Sequence, residues 1–143
     1  MTTNVAATRF ESPDELLSAA GRNLGTTPWM TVDSRSVEQF CQATGPAGPE
    51  SEQVSPFMIL SLTNYFLPQL LEVRGISSGV NYGTGPVRFG VTPRGGDRLR
   101  ATATIVDAAD VPGGVQTTIR IAIEIEGEPG PACVVESLSR WLR

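Results

Sequence analysis

Between Phe57 and Leu71 the chain sets Phe57, Met58, Ile59, Leu60, Leu62, Tyr65, Phe66, Leu67, Leu70 and Leu71 so closely that a helix drawn through them has almost no polar side. A helix of a globular domain normally hides one stripe, so one that is apolar nearly all round has to be enclosed by other elements. Its start is well specified. Ser55 is a favourable N-cap, and Pro56 a favourable first helical residue because the N–H it lacks is one the first turn leaves unpaired anyway. Pro68 predicts a kink or an end, since it removes a donor and crowds the preceding turn. Ser61, Thr63, Asn64 and Pro68 also break the run, which excludes it as a membrane span of about 20 apolar residues.

The enclosure has to come from strands. Residues 115–126 alternate most clearly, with Val115, Thr117, Ile119, Ile121, Ile123 and Ile125 on one face and Gln116, Thr118, Arg120, Glu124 and Glu126 on the other. Residues 97–108 alternate likewise through Leu99, Ala101, Ala103 and Ile105, and residues 131–142 read as a last strand. Residues 76–91 read as one or two short strands interrupted at Thr84-Gly85-Pro86, and 110–114 as a turn. Upstream, Ser12-Pro13-Asp14-Glu15 has the form of a capping box and predicts a short helix to about Gly21. Residues 29–32 predict a brief strand. Asp33 or Ser34 then caps a second helix, with Val37, Phe40, Cys41 and Thr44 on one face and Gly45 as its stop. Residues 46–54, holding two prolines and a glycine, are loop. At 143 residues, 40% hydrophobic and 18% charged, the chain suits one domain over residues 1–143. The expected fold class is α+β: a single antiparallel sheet wrapped around a buried central helix.

The net charge is −4 and the basic residues are scattered, so neither nucleic acid nor an anionic membrane is an expected partner. Cys41 and Cys133 lie far apart among apolar neighbours, as buried thiols do, which suits a reducing cytoplasm. The N-terminal MTTNVAATRF has no leader pattern. The chain contains no histidine and no clustered cysteine or carboxylate ligands, so neither a metal nor a cofactor is expected.

Several segments, in their order and spacing, resemble the MaoC-like dehydratases, closest to their NodN-like branch. They are Phe10 to Leu24 with Thr31-Val-Asp33, Phe40-Cys-Gln-Ala-Thr-Gly45, Val80-Asn-Tyr-Gly83 with Val87-Arg-Phe89, Gly113-Gly-Val-Gln116, and Glu126-Gly127 followed by Pro131-Ala132. The resemblance spans nearly the whole chain and implies a hotdog fold, a dimer, and substrates that are acyl thioesters of CoA or a carrier protein. It also implies an aspartate after the Ala-Thr-Gly, a histidine just before the central helix, and a glycine following it. An Asp/His pair handles the proton and water, while a helix N-terminal N–H holds the thioester enolate. Here Pro46 follows Ala43-Thr44-Gly45, and Ser55 and Pro56 stand where the histidine and glycine are implied. Serine accepts no proton near neutral pH and proline has no N–H, so the usual hydration is not expected of this chain.

Without histidine, proton transfer falls to Glu50, Glu52, Asp33 or a tyrosine, each needing burial or a neighbour to shift its pKa. Glu52, Tyr65 and Asn64 are the candidate catalytic residues; Ser55, Phe57, Asn81, Tyr82 and Arg88 are the candidates for binding substrate. Each has a plainer reading. Glu50 and Glu52 read equally as solvated loop charges, Ser55 as a helix cap, Asn64 and Tyr65 as partners of the sheet backbone, and Arg88 as a pairing residue across a dimer. The first functional expectation is a repurposed enzyme whose apolar tunnel carries out isomerisation, cyclisation or elimination on a polyketide-like or acyl substrate, by orientation more than by a strong base. The alternative is a non-catalytic subunit of a heteromeric MaoC-type enoyl-thioester hydratase or dehydratase. The expected assembly is a homodimer, or a heterodimer with a histidine-bearing homologue. A passive binding protein for an acyl chain is a third expectation.

Overall fold

In the computed structural model, which describes residues 6–46 and 52–143, the apolar face of the strands and one side of the central helix close on each other. Strand β1 is Thr8–Phe10, followed by a 3-10 helix over Pro13–Ser18, β2 Asn23–Thr26, β3 Met30–Thr31 and helix α1 Ser34–Thr44. Helices α2 (Pro56–Ser61) and α3 (Thr63–Leu70) come next, then β4 Leu71–Val73, β5 Ser78–Phe89, β6 Arg98–Val111, β7 Gly114–Ile125 and β8 Pro131–Leu142. The main sheet runs β2-β6-β7-β8-β5 and is antiparallel throughout, with β3 also on β6; β1 and β4 form a separate parallel pair. Among the described residues no helix is long and apolar enough to cross a membrane.

The alternation expected of β6 and β7 holds residue for residue. Leu99, Ala101, Ala103 and Ile105 are buried, as are Val115, Thr117, Ile119, Ile121, Ile123 and Ile125, and they face Phe66, Ile59, Leu70 and Leu16. Each large side chain removed from water in this way contributes roughly 2 kcal/mol. The opposite face carries cross-strand ion pairs, Arg100 with Glu124, Arg98 with Glu126 and Arg120 with Glu136. β8 begins and ends where the sequence places it, and 78–89 forms one strand, its expected interruption reduced to a bulge between Thr84 and Val87.

Four local expectations need correction. The first helix is 3-10 and stops at Ser18, and its Ser12 side chain makes no cap bond; Glu15 accepts instead from the Glu11 N–H at 2.8 Å. Ser55 occupies the N-cap and Pro56 the first turn, yet the Ser55 hydroxyl makes no capping bond either. The central helix breaks at Leu62, not at Pro68, which lies inside α3. The Ser61 and Thr63 hydroxyls donate back to the Met58 and Leu60 carbonyls at 2.6 and 2.9 Å, competing with the helical ladder where it breaks. Finally, the helices are not enclosed all round. Met58, Ile59, Phe66 and Leu70 are buried against the sheet, whereas Phe57 and Tyr65 are 69% and 52% exposed.

α1 starts as expected, the Asp33 carboxylate accepting from the Arg35 N–H at 3.0 Å. It stops at Gly45, whose φ of 103° suits glycine. Val37 is buried and Phe40 and Cys41 half-buried, while Thr44 is exposed. Cys41 and Cys133 are both free thiols.

Candidate ligand pocket

Helix α2 packs on β8 and α3 on β6, and a side chain from each reaches β5. At one end the Phe57 ring meets Phe89 edge-on, with centroids 6.4 Å apart; further along, Asn81 Nδ2 donates to Asn64 Oδ1 at 2.8 Å. Strand register explains the choice of partners. Asn81 lies opposite Ser139 and Phe89 opposite Cys133, both buried, so these β5 side chains share the concave face with the helices.

Between α3 and strands β5 and β8 lies a half-open cavity of about 210 Å³. Thr63, Asn64, Leu67 and Pro68 line it from the helix, Asn81 from β5, and Ser137, Ser139 and Trp141 from β8. The Trp141 ring lies over Gly79, the nearest ring atom 3.4 Å from where a Cβ would stand, and its N–H donates to Thr117 Oγ1 at 2.9 Å. The indole thus offers the cavity apolar surface only. Pro68 brings no N–H, so the Asn64 carbonyl lacks the donor it would have in an unbroken helix. None of the described lining residues carries an ionisable side chain.

Of the sequence candidates, only Asn64 and Asn81 meet in this cavity. Tyr65 is on the same helix but on its uncovered side, its ring edge-on to Phe66 at 5.3 Å. Phe57 sits on that uncovered side too, and Ser55 is buried at the helix start. Tyr82 and Arg88 lie on the convex face. Arg140 stacks on the Tyr82 ring at 3.6 Å, and Arg88 borders a separate depression with Arg120 and Glu136. Glu52 is exposed and lines a third depression with Ser34, Val37, Glu38 and Gly95, its carbonyl accepting from the Gly95 N–H at 2.9 Å. Asp33 is occupied in capping α1, and Glu50 lies outside the described residues.

Sequence reasoning missed Ser137, Ser139 and Trp141, although a signal for them was present. The concave-face positions of β8 read Cys133, Val135, Ser137, Ser139, Trp141. Two serines in a row at positions that otherwise carry core side chains mark where the sheet stops facing packed helix and starts facing a cavity.

No family model matches the sequence. The chain is 35% identical to 3-hydroxyacyl-thioester dehydratase Z of Mycobacterium tuberculosis, over 93% of this chain and 97% of the relative. That alignment spans 147 positions, more than the 143 residues of this chain, so the relative carries residues with no counterpart here. Nodulation protein N of Rhizobium leguminosarum bv. viciae is 29% identical over 80% of this chain and 81% of the relative. Among solved structures, the MaoC-like dehydratase from Rhodospirillum rubrum superposes with a TM-score of 0.69 at 15% identity, covering 87% of this chain and 93% of that one. The HadBC (3R-hydroxyacyl-ACP dehydratase) complex from M. tuberculosis gives 0.64 at 16% identity, covering 86% and 97%. The architecture in common is the hotdog fold, a long antiparallel sheet packed on a central helix.

Proposed function

Because this chain belongs to the MaoC-like dehydratase family, we propose that it holds an acyl thioester between α3 and strands β5 and β8 without itself adding or removing water, as the non-catalytic subunit of a heteromeric MaoC-type enoyl-thioester hydratase or dehydratase. One observation carries this reading: the described lining of the cavity contains no side chain able to exchange a proton near neutral pH. Adding water across a double bond conjugated to a thioester needs a group to deprotonate the water and one to protonate the α-carbon, and such general acid–base help is worth about 10²–10⁴-fold. The chain has no histidine, and Glu52 and Tyr65 sit away from the cavity. A second hotdog subunit would bring the proton-handling residues.

The surface such a subunit would cover is the outer edge of β5, which among the described residues pairs only with β8, together with the uncovered Phe57, Tyr65 and Phe89. The relative named for 3-hydroxyacyl thioesters and the two-component HadBC dehydratase supply the substrate class and the assembly proposed here. A homodimer would use the same surface, and the carrier is either CoA or a carrier protein. The bonded Asn64–Asn81 pair favours a second reading, in which the cavity orients an acyl or polyketide-like substrate for isomerisation, cyclisation or elimination.

The test is hydration of crotonyl-CoA, followed by loss of the enoyl absorbance, with the chain alone and co-expressed with a histidine-bearing MaoC homologue. The expected result is background turnover alone and a co-eluting, active mixed complex. Hydration by the pure chain at a hydratase's rate overturns the proposal.

A further inference from the structure

The concave face of β8 changes size abruptly at the cavity. Ser137 and Ser139 are followed, at the next position on the same face, by Trp141, so two short side chains lead up to the largest one. The indole lies crosswise over its own strand. Its six-membered ring packs over Gly79, the residue opposite Trp141 on β5, and its N–H reaches Thr117 on the other neighbouring strand, β7, at 2.9 Å. Thr117 is fully buried, so the ring is held from both sides and stands as a fixed bar across this end of the cavity.

The two levels of the cavity differ in chemistry. Asn81 lies opposite Ser139 and Asn64 joins it there, so this level is polar. Two residues on, about 7 Å along the strands, the Trp141 ring offers apolar surface alone, its N–H being spent on Thr117. A thioester seated here turns its carbonyl to the polar level and its alkyl tail to the ring, the orientation in which each meets a surface of its own kind. The tail then runs into the indole. A cavity of about 210 Å³ holds about seven groups of the size of a water molecule, at ~30 Å³ each, and a methylene is of similar bulk. Methylenes beyond that number have only the open side to enter, where little burial is gained. Resting on the acyl-thioester reading above, we infer that Trp141 is the specificity determinant that sets the length of acyl chain the cavity accepts, and that it selects short chains.

The experiment is calorimetric titration of the purified protein, in the oligomeric state it adopts, with N-acetylcysteamine thioesters of the straight chains from butanoyl to dodecanoyl. In the wild type each methylene is expected to raise affinity about fourfold, the equivalent of burying one CH₂, up to about six to eight carbons, and to add nothing beyond. Trp141→Leu is expected to move that break to longer chains, and Ser139→Val, which narrows the cavity before the ring, to shorter ones. A variant that merely loosened the fold would weaken every chain together and leave the break where it was, and that outcome overturns the inference. So does a wild type whose affinity climbs without a break to dodecanoyl, or does not depend on length at all, and neither comparison requires a variant to fold. Failure of every thioester to bind removes the acyl-thioester reading and this inference with it; binding without a break removes this inference alone.

Discussion

Burial leaves Cys133 little water to stabilise a thiolate, which pushes its thiol above the ordinary cysteine range. The consequence for stability has a definite sign. Below the unfolded thiol's pKa, about 8.5, both states are protonated and the residue contributes no pH dependence. Above it the unfolded chain loses the proton while the folded chain keeps it, so stability falls as pH rises towards the folded value. Urea midpoints measured from neutral to alkaline pH should therefore decline in the wild type, and Cys133→Val, of similar volume, should remove part of that decline. At the same scale, Ser55 shows what a favourable residue type does not determine: it takes the cap position while its hydroxyl leaves the cap bond unmade.

The hairpin joining β6 to β7 shows how an element constrains a residue. Val111 pairs with Gly114 across the two-residue turn Pro112-Gly113, and Gly113 takes a φ of 85°. Gly114 is required for a different reason: a Cβ there would stand 2.2 Å from the Trp141 carbonyl oxygen, a backbone atom held in the β7–β8 ladder. Gly114→Ala is expected to destabilise by about 1–3 kcal/mol, as overpacking does, read from urea denaturation. Gly83→Ala makes the contrast, since a Cβ on Gly83 meets nothing within 4 Å. It should shift stability by no more than about 0.5 kcal/mol. Equal effects from the two substitutions would show that strand propensity, and not the close approach of β8, governs Gly114.

At the level of the whole molecule, the uncovered flank is the feature that the chain's own packing leaves unresolved. Phe57, Tyr65 and Phe89 are 69%, 52% and 42% exposed; Phe89 lies on β5, an edge strand of the described sheet, and Phe57 meets it edge-on, while Tyr65 is exposed further along on α3. Open sheet edges and exposed aromatic clusters are surfaces that associate. The double substitution Phe57→Ser with Tyr65→Ser is expected to change the stability of the isolated fold by no more than about 0.5 kcal/mol per site while weakening self-association or assembly with a homologue. Sedimentation velocity across a dilution series reads both. A double variant that associates as the wild type does would place the interface elsewhere.

The sheet was legible in the sequence because a strand's two faces repeat every second residue, so burial of one face writes itself directly into β6 and β7. The central helix was legible as an element, since its apolar density left no other economical way to hide Phe66 and Leu70. Its break at Leu62 was not, because that depends on two hydroxyls choosing carbonyls behind them over water. Nor did composition reveal that only part of the helix would be covered: Phe57 and Phe66 look alike in sequence, and which one meets the sheet is a matter of how the helix is rotated against it. The pairing of Asn64 with Asn81, and the scattering of Glu52, Tyr82 and Arg88 to other surfaces, came from tertiary structure alone. Local periodicity records which face is buried, whereas a site is made of residues distant in the chain whose separation is set only when the sheet curls and the helix docks.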